Sequence, residues 1–315
     1  MSIKELLKRL LQIIIVLIGI SFITFALTYL APGDPVTAMY SATGTLPSEE
    51  VLEATREALG LNDPFLVQYF NWLVNCLHGD FGTSYTYSKP VLTLIFSRLW
   101  PTLKLALCSL VLMLAISIPL GILSATHQGG VIDYIVRCYT FIGVSMPNFW
   151  VGLLLMLLFC VKLGWLPVVS TGQGFSKLIL PSVTLAFAMS AKYTRQVRTA
   201  FLEELNQDYV TGARCRGIKE KAILWKHVLP NSILPLVTML GLSMGSLLGG
   251  TAVVEVIFSY PGLGNLAVTA ISSMDYNLIQ GYVLWIALIY MVINLIVDIS
   301  YGLMDPRMRK KAQRG

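Results

Sequence analysis

The sequence predicts an all-α protein that crosses a membrane with six helices. Of its 315 residues, 55% are hydrophobic and only 13% are charged, whereas a soluble domain carries about 25% charged residues. Its mean hydropathy is +0.70. A membrane-spanning helix needs about 20 mostly apolar residues, and six segments reach or approach that length. The predicted spans are residues 10–30, 101–124, 136–161, 178–194, 233–256 and 281–302.

The first span resembles the apolar part of a signal peptide, because Lys4, Lys8 and Arg9 precede it. Its apolar run of about 20 residues is longer than that of a signal peptide, and no A-x-A cleavage site follows it. We therefore expect an uncleaved membrane anchor. In the third span, Pro147 predicts a kink, since proline removes a backbone hydrogen bond inside a helix.

The positive charges indicate the orientation of the spans, because Lys and Arg are enriched on the cytoplasmic side of a membrane. With the N-terminus inside, all but six of the 23 Lys and Arg residues fall in cytoplasmic segments. The exceptions are Arg56, Lys89, Arg98, Lys104, Lys162 and Lys177. Both termini are then cytoplasmic. The net charge of +6 follows from this topology and does not call for a nucleic-acid partner.

Two hydrophilic segments remain between the spans. One is external, at residues 31–100, and the other is cytoplasmic, at residues 195–232. No internal repeat divides the chain, and six helices in one bundle need no second domain. We therefore expect a single transmembrane domain over residues 1–315.

The external segment predicts two short helices. Ser48 can cap the first, which ends at Gly60, and the second can begin at Asp63, with Pro64 at its first position, and end before Gly79. Both have a broad apolar face. Such helices could lie on the outer membrane surface, cap the helix bundle or dock a partner protein.

The cytoplasmic segment predicts two further helices at an angle to each other. Tyr209, Ala213 and Gly217 follow one another at four-residue spacing, which places them on one helical face, and the small residues there leave room for a neighbour. Gly217 permits a sharp turn, and Pro230 closes the second helix. This shape suits docking into a cleft of another protein. The alternative is an amphipathic surface loop that is basic because it is cytoplasmic.

The same segment matches a known motif. The inner-membrane subunits of ATP-binding-cassette importers carry a loop of pattern E-A-A-x3-G-x9-I-x-L-P, and the spacing here is identical. The matching positions are Thr211, Gly212, Ala213, Gly217, His227, Val228, Leu229 and Pro230. Thr211 replaces the acidic residue, Gly212 replaces an alanine, and His227 stands at an apolar position. The peptide and nickel branch of the family departs from the pattern in a similar way.

Further segments are similar to that branch, and together they extend over nearly the whole chain. They are APGDP (31–35), LGLNDPFLVQYFNWL (59–73), GDFGTSY (79–85), GVSMPNFW (143–150), EVIFSYPGLG (255–264), MDYNLIQG (274–281) and DPRMR (305–309). The segment around Asn148 resembles the nickel members somewhat more closely than the peptide members.

The resemblance implies a multi-pass permease of the bacterial inner membrane with the six-helix importer fold. It would pair with a second, homologous permease. Two cytoplasmic ATPases would bind the two cytoplasmic loops, and an external binding protein would deliver a short peptide or nickel, the latter as an ion or a small chelate. ATP binding and release would move the loops. The loops would then rock the helices between outward- and inward-facing states.

The residues of the loop that we expect to couple to the ATPase are Tyr209, Thr211, Gly212, Ala213, Gly217, His227, Leu229 and Pro230. No G-x-x-x-x-G-K-[ST] segment is present, so we expect ATP and Mg²⁺ to bind the partner ATPases and not this chain. The five cysteines are scattered and the three histidines form no cluster, so we expect no metal site. We therefore expect a transport subunit and not an enzyme.

One segment, GLSMG (241–245), matches the nucleophile elbow of hydrolases. The elbow requires a strand-to-helix turn with His and Asp partners, and this segment lies inside a predicted membrane helix. Gly241, Gly245 and Gly249 instead give one helix face without side chains, where a neighbouring helix can approach closely. That neighbour could belong to the partner permease or to the same bundle. An intramembrane hydrolase is the less favoured alternative.

Charged residues in spans are costly, so each needs a reason. Glu255 could line the mouth of the pathway and meet a cationic substrate, or it could hydrogen-bond the turn that follows; we favour the structural role. For Asp298 we expect a structural partner among nearby Arg or Lys. A secondary transporter driven by an ion gradient is the remaining alternative. Such transporters often have inverted repeats or broken helices, and the sequence shows neither.

Overall fold

The structure is a computed structural model that describes residues 3–42, 47–168, 174–232 and 251–304, together with residues 236, 240 and 247. The regular structure in these residues is helical, which confirms the all-α prediction. In chain order the helices are α1 (Ile3–Leu30), α2 (Pro35–Ala42), α3 (Glu49–Ala58), α4 (Phe65–Leu77), α5 (Val91–Thr126), α6 (Val131–Ser145), α7 (Asn148–Met156), α8 (Ser176–Leu205), α9 (Asp208–Cys215), α10 (Glu220–Ile223), α11 (Leu263–Ser272) and α12 (Tyr276–Met304). Helices α7 and α10 continue as π-helical turns, over Leu157–Lys162 and Leu224–Val228.

The chain forms two compact units. The loop unit comprises Leu103–Tyr260 and the chain from Ile293 onward, and the N-terminal unit comprises the chain up to Thr102 with Pro261–Val292. The prediction of a single domain over residues 1–315 stays a prediction.

Three helices in the described residues are long and apolar enough to cross a membrane: Leu7–Leu30, Val91–Thr126 and Tyr276–Val297. They contain most or all of the first, second and sixth predicted spans. The predicted fifth span, at 233–256, lies largely outside the described residues. The structure therefore confirms membrane-spanning helices, and the number six stays a prediction.

The third predicted span is broken and not merely kinked. Helix α6 ends at Ser145, α7 begins at Asn148, and the two meet at an angle of 101°. Pro147 lies at the break, where it cannot donate a backbone hydrogen bond. The sequence located the break, but it gave no sign that the helix would turn through a right angle.

The fourth predicted span, 178–194, lies within the longer helix α8, which continues to Leu205. The predicted cytoplasmic loop of 195–232 therefore begins inside a helix. Helix α8 is not among the helices apolar enough to span a membrane, because serines, Lys192 and Arg195 interrupt its apolar run.

Helix α8 lies very close to its neighbours in the loop unit. A Cβ at Gly121 of α5 would stand 2.5 Å from Val197, and one at Gly143 of α6 would stand 2.5 Å from Ala191. Real side chains do not approach so closely, so both positions require glycine. The three helices are therefore close together at these two points.

In the N-terminal unit, α4 packs alongside α1. The hydroxyls of Ser21 and Tyr69 lie 2.9 Å apart, and the rings of Phe22 and Phe25 contact Tyr69 at 5.3 and 5.6 Å between centroids. The sequence left open whether this helix lies on the membrane surface, caps the bundle or docks a partner. The structure places it against the first span because both helices have an aromatic face.

The ends of α3 and α4 agree closely with the prediction. Gly60 follows α3 with φ of +67°, a conformation that glycine adopts at low cost. Ser48 occupies the position before α3 but makes no side-chain capping bond. Pro64 precedes α4, so that helix begins one residue later than predicted.

Candidate functional site

The predicted cytoplasmic loop contains a helical hairpin, formed by α9, a tight turn, and α10 with its π-helical extension to Val228. In the turn, the Gly217 amide donates to the Arg214 carbonyl at 2.9 Å, and the Ile218 amide donates to the Ala213 carbonyl at 3.2 Å. This pair of bonds is a Schellman motif, which requires a left-handed residue after the helix. Gly217 supplies it with φ of +75°. The predicted turn at Gly217 between two helices is present, but Pro230 does not close the second helix, because residues 229–232 are helical as well.

The inner face of the hairpin is buried against the loop unit. Val210, Ala213, Ile223 and Val228 of the hairpin are buried in one apolar cluster with Ala125 of α5 and Phe201 of α8. The hairpin is therefore attached to two long helices near their C-terminal ends. A displacement of the hairpin would therefore act directly on α5 and α8.

This packing corrects the prediction that Tyr209, Ala213 and Gly217 share a free face. Ala213 is 2% exposed and contacts the chain's own core, whereas Tyr209 is 37% exposed. Gly217 follows the end of α9 at Cys215, so helical spacing no longer applies to it. Four-residue spacing alone could not distinguish a face that meets a partner from one that meets the same chain.

The outer face of the hairpin carries most of the other motif positions. Leu229 is half-buried against the apolar cluster, and the rest are exposed. At Gly212 and Gly217 a Cβ would meet nothing within 4 Å. The exposed motif positions are Thr211, Gly212, Gly217, His227 and Pro230. This surface is open, and part of it lacks side chains, so another protein can approach the backbone closely.

Two features of the outer face were missed in the sequence. The indole of Trp225 is 55% exposed, and exposed aromatic residues often anchor protein interfaces. The Tyr209 hydroxyl donates to Glu204 at 2.7 Å, which ties α9 to the end of α8. The available signal for Trp225 was a tryptophan next to Lys226 in a basic segment.

An ion pair joins the two arms of the hairpin. Arg214 Nη2 donates to Glu220 Oε1 at 2.6 Å, and Arg214 Nε donates to Glu220 Oε2 at 3.2 Å. The hydrogen bonds from Arg214 lower the pKa of Glu220. Both side chains are about half exposed, so the pair contributes little free energy. Its role is to help fix the angle between α9 and α10, whose connecting turn is already determined by Gly217.

A buried carboxylate close to the hairpin was also missed in the sequence. The Asp133 side chain is 1% exposed and receives both Nε and Nη2 of Arg198 at 2.9 Å. The Ser124 hydroxyl and the Gly129 amide donate to it at 2.5 and 3.1 Å. We call these four residues the carboxylate clamp. In the sequence, Arg198 counted only as one of the positive charges that indicate the cytoplasmic side. Its pairing with Asp133 was not predicted, because the two residues are 65 positions apart.

Two residues that the sequence marked as candidates for the transport pathway, Glu255 and Asn148, lie in the described region, and both are at least half-buried. The Glu255 side chain is fully buried, and its backbone carbonyl accepts a 2.7 Å hydrogen bond from Tyr260 in the following turn. Asn148 is half-buried at the first position of α7, directly after the break. Gly241, Gly245, Gly249 and the side chain of Asp298 lie outside the described residues.

Two of the quoted motifs meet in the N-terminal unit. Asp275 of MDYNLIQG is buried and accepts bonds from the Ser84 hydroxyl at 2.5 Å and the Thr86 amide at 3.0 Å. Asn277 donates to the carbonyl of Thr83 at 3.0 Å. Hydrogen bonds therefore join the segments GDFGTSY and MDYNLIQG. We call this contact the joint, and it attaches the polar turn before α5 to the start of α12.

Within the described residues, no group of three or more His, Cys, Asp or Glu side chains is arranged so that it could hold a metal ion.

Residues 117–310 match the family described as the binding-protein-dependent transport system inner membrane component. Residues 2–106 match its N-terminal membrane component. The chain belongs to this family. The protein is thus the permease component of an ATP-binding-cassette importer and is not itself an enzyme. Family membership decides against the secondary-transporter and hydrolase alternatives.

The permease is similar over almost its whole length to curated relatives. It is 43% identical to the oligopeptide transport system permease protein AppB of Bacillus subtilis (strain 168), over 96% of this chain and 98% of that protein. It is 40% identical to the glutathione transport system permease protein GsiC of Pectobacterium atrosepticum, over the same shares of the two chains.

Solved structures share the fold of the permease. An inward-facing structure of the MetNI methionine ABC transporter superposes with a TM-score of 0.57 at 19% identity, covering 69% of this chain and 99% of that one. An amino acid ABC transporter crystallised with histidines gives a TM-score of 0.53 at 21% identity, covering 69% and 94%. The importer permease fold predicted from the motifs is confirmed.

Proposed function

We propose that the permease forms half of the translocation pathway of an importer for short peptides, and that an ATPase docks on its helical hairpin. The observation that carries this proposal is the two-sided hairpin of Asp208–Val228. Its outer face is open at Gly212 and Gly217, and its inner face is buried against α5 and α8. A partner bound outside can therefore move the helices to which the inside is attached.

The motif residues divide between two roles in this proposal. Tyr209, Thr211, Gly212, Gly217, His227 and Pro230 face the ATPase. Ala213 and Leu229 hold the hairpin to the permease from beneath, since both pack into the apolar cluster. ATP and Mg²⁺ bind the ATPase, because the chain has no phosphate-binding loop.

Short peptides, including glutathione, are the proposed substrates. The relatives at 43% and 40% identity are named as oligopeptide and glutathione permeases. The somewhat closer resemblance to nickel permeases depended on the segment around Asn148. Asn148 is half-buried beside the helix break. A nickel chelate remains the alternative that the substrate experiment must distinguish.

The complete transporter in this proposal contains four further chains. These are a second, homologous permease, two cytoplasmic ATPases and an external binding protein. Both termini of the permease are cytoplasmic, so that the basic hairpin faces the ATPases. The segment of residues 31–100 then faces the binding protein.

The test is reconstitution from the genes that accompany this one. The permease is purified with its partner permease and ATPases in lipid nanodiscs, and ATP hydrolysis is measured with and without the binding protein. The binding protein is titrated by calorimetry with tri-alanine, glutathione and a nickel–histidine chelate. We expect a peptide or glutathione to bind and to stimulate hydrolysis. Exclusive binding of the nickel chelate would contradict the peptide assignment, and tight ATP binding by the permease alone would contradict the division of roles.

A further inference from the structure

The carboxylate clamp holds three long helices together at one point. Ser124 lies two residues from the end of α5, Asp133 lies in the first turn of α6, and Arg198 lies in the last third of α8. Each oxygen of the Asp133 carboxylate receives two donors, because Oδ1 accepts from Ser124 and Arg198, and Oδ2 accepts from Gly129 and Arg198. The hydrogen-bonding capacity of this buried carboxylate is filled.

The clamp is adjacent to the base of the hairpin. Ser124 immediately precedes Ala125, and Arg198 lies three residues before Phe201. Both neighbours belong to the apolar cluster that buries Val210 and Ala213 of the hairpin. The hairpin therefore contacts α5 and α8 directly, whereas α6 is joined to the same place through Asp133.

Apolar contacts and the clamp constrain motion differently. Apolar side chains resist separation but have little directional preference. A bidentate guanidinium–carboxylate pair also fixes the angle between the two groups, because two parallel hydrogen bonds require one planar arrangement. A rotation of α8 against α6 would break at least one of the bonds to Asp133.

We propose that Asp133 and Arg198 are positioning residues for coupling: they make the inner ends of α5, α6 and α8 move as one body with the hairpin. Without them, a movement of the hairpin reaches α5 and α8 but is not passed in full to the first turn of α6, because the other close contact of α6 with α8, Gly143 against Ala191, lies farther along the helix. This inference rests on the proposed docking of an ATPase at the hairpin.

The informative variant is Arg198→Lys. Lysine keeps the positive charge beside Asp133 but cannot form the bidentate pair. The matched control is Arg195→Lys, one turn earlier on α8, where the arginine is exposed. Ser124→Ala is a milder variant, since it removes the hydrogen bond that Ser124 donates to Asp133 and the one it accepts from Arg198 Nε, and leaves the ion pair in place.

The experiment measures hydrogen exchange in the assembled complex, with and without ATP and vanadate. In the wild-type complex we expect nucleotide to change exchange both in the hairpin, residues 208–228, and in residues 126–145, which hold the turn and α6. In Arg198→Lys the response of the hairpin should persist, whereas the response of residues 126–145 should be lost. Arg195→Lys should behave as wild type.

The outcomes separate this inference from the function on which it rests. If nucleotide leaves the wild-type hairpin unchanged, the proposed docking site fails. If the wild-type hairpin responds and Arg198→Lys keeps the full response of residues 126–145, the coupling role of the clamp is overturned. Should Arg198→Lys not assemble with the ATPases, Ser124→Ala is measured in the same way. A full wild-type response in that variant overturns the role, and a reduced one supports it.

Discussion

Asp275 accepts a 2.5 Å hydrogen bond from the hydroxyl of Ser84, a residue that precedes it by 191 positions. Its other oxygen accepts from the amide of Leu278 at 3.2 Å, which caps the start of α12. One buried carboxylate therefore caps the N-terminus of α12 and also attaches this helix to the turn before α5.

Replacing this carboxylate should destabilise the permease strongly. Asp275→Ala removes a helix cap and leaves the Ser84 hydroxyl and the Thr86 amide without their acceptor, at a combined cost on the order of 2–4 kcal/mol. We expect a lower melting temperature of the purified protein in detergent. Asp80→Ala is the control, because the exposed Asp80 accepts one bond, from the Gly82 amide. Equal melting temperatures for the two variants would contradict the importance of this joint.

Changing the turn of the hairpin should uncouple the transporter. Gly217→Val places a β-branched residue at φ of +75°, and such strain costs on the order of 1–3 kcal/mol. Apart from the residues next to Gly217 in the chain, no atom of the described residues lies within 4 Å of the new Cβ, so the effect arises from the turn and from any docked partner. We expect weaker recovery of the ATPases in a pull-down, or less substrate imported per ATP hydrolysed.

The control for this variant is Lys219→Ala, two residues away on the exposed surface. It should change neither measurement appreciably. If Gly217→Val recovers the ATPases and imports substrate at the wild-type rate and stoichiometry, the hairpin is only a linker.

The role of Glu255 can be decided with an isosteric change. Its side chain is fully buried, so the structure favours a structural role over direct contact with a substrate. Glu255→Gln keeps the shape and hydrogen-bonding ability without the charge, and we expect assembly and most uptake to persist. Glu255→Leu should reduce assembly, because polar partners would lose their acceptor. Loss of uptake in a fully assembled Glu255→Gln complex would show that the charge itself is needed.

Asp34 should make a pH-dependent contribution to the stability of the folded permease. It caps α2 and pairs with Arg56 at 2.8 Å. Partial burial would raise its pKa, but the hydrogen bonds from Arg56 and Thr37 outweigh this and hold the pKa at about 2, below the ordinary 3.8. Because the folded-state pKa is depressed, the stabilisation is present above about pH 4 and is lost as the pH falls towards 2.

The measurement compares melting temperatures of wild type and Asp34→Asn between pH 7 and pH 2.5. At neutral pH the variant should be less stable by at most about 2 kcal/mol, since each pKa unit corresponds to about 1.4 kcal/mol and the pair is partly exposed. The difference should shrink below pH 4. Glu50→Gln, an exposed neighbour, is the control. A difference that is independent of pH would contradict the ion pair as its origin.

The features that the sequence predicted correctly are those encoded locally. Gly217 determined the turn of the hairpin because only nearby backbone bonds are involved, and Gly60 determined the end of α3 for the same reason. Pro147 located the break between α6 and α7. In each case the deciding interaction lies within a few residues.

The features that the sequence did not predict depend on residues far apart in the chain. The pairing of Asp133 with Arg198 spans 65 residues, and that of Ser84 with Asp275 spans 191. Neither leaves a periodic pattern. Ala213 illustrates the same limit, since its spacing identified a helix face but not whether that face meets a partner or the core. Pro147 likewise located the break between α6 and α7 but did not indicate its angle of 101°.

The composition of the N-terminal unit has a consequence for how the permease is made. Its first hundred residues leave the ribosome early, but the partners in Pro261–Val292 are synthesised only after some 150 intervening residues have been inserted. Ser84 and Thr86 must therefore wait, unpaired, while most of the chain is still being translated. Chains that stop before Asp275 lack the acceptor for both groups, so the N-terminal unit is completed only once the start of α12 has been made.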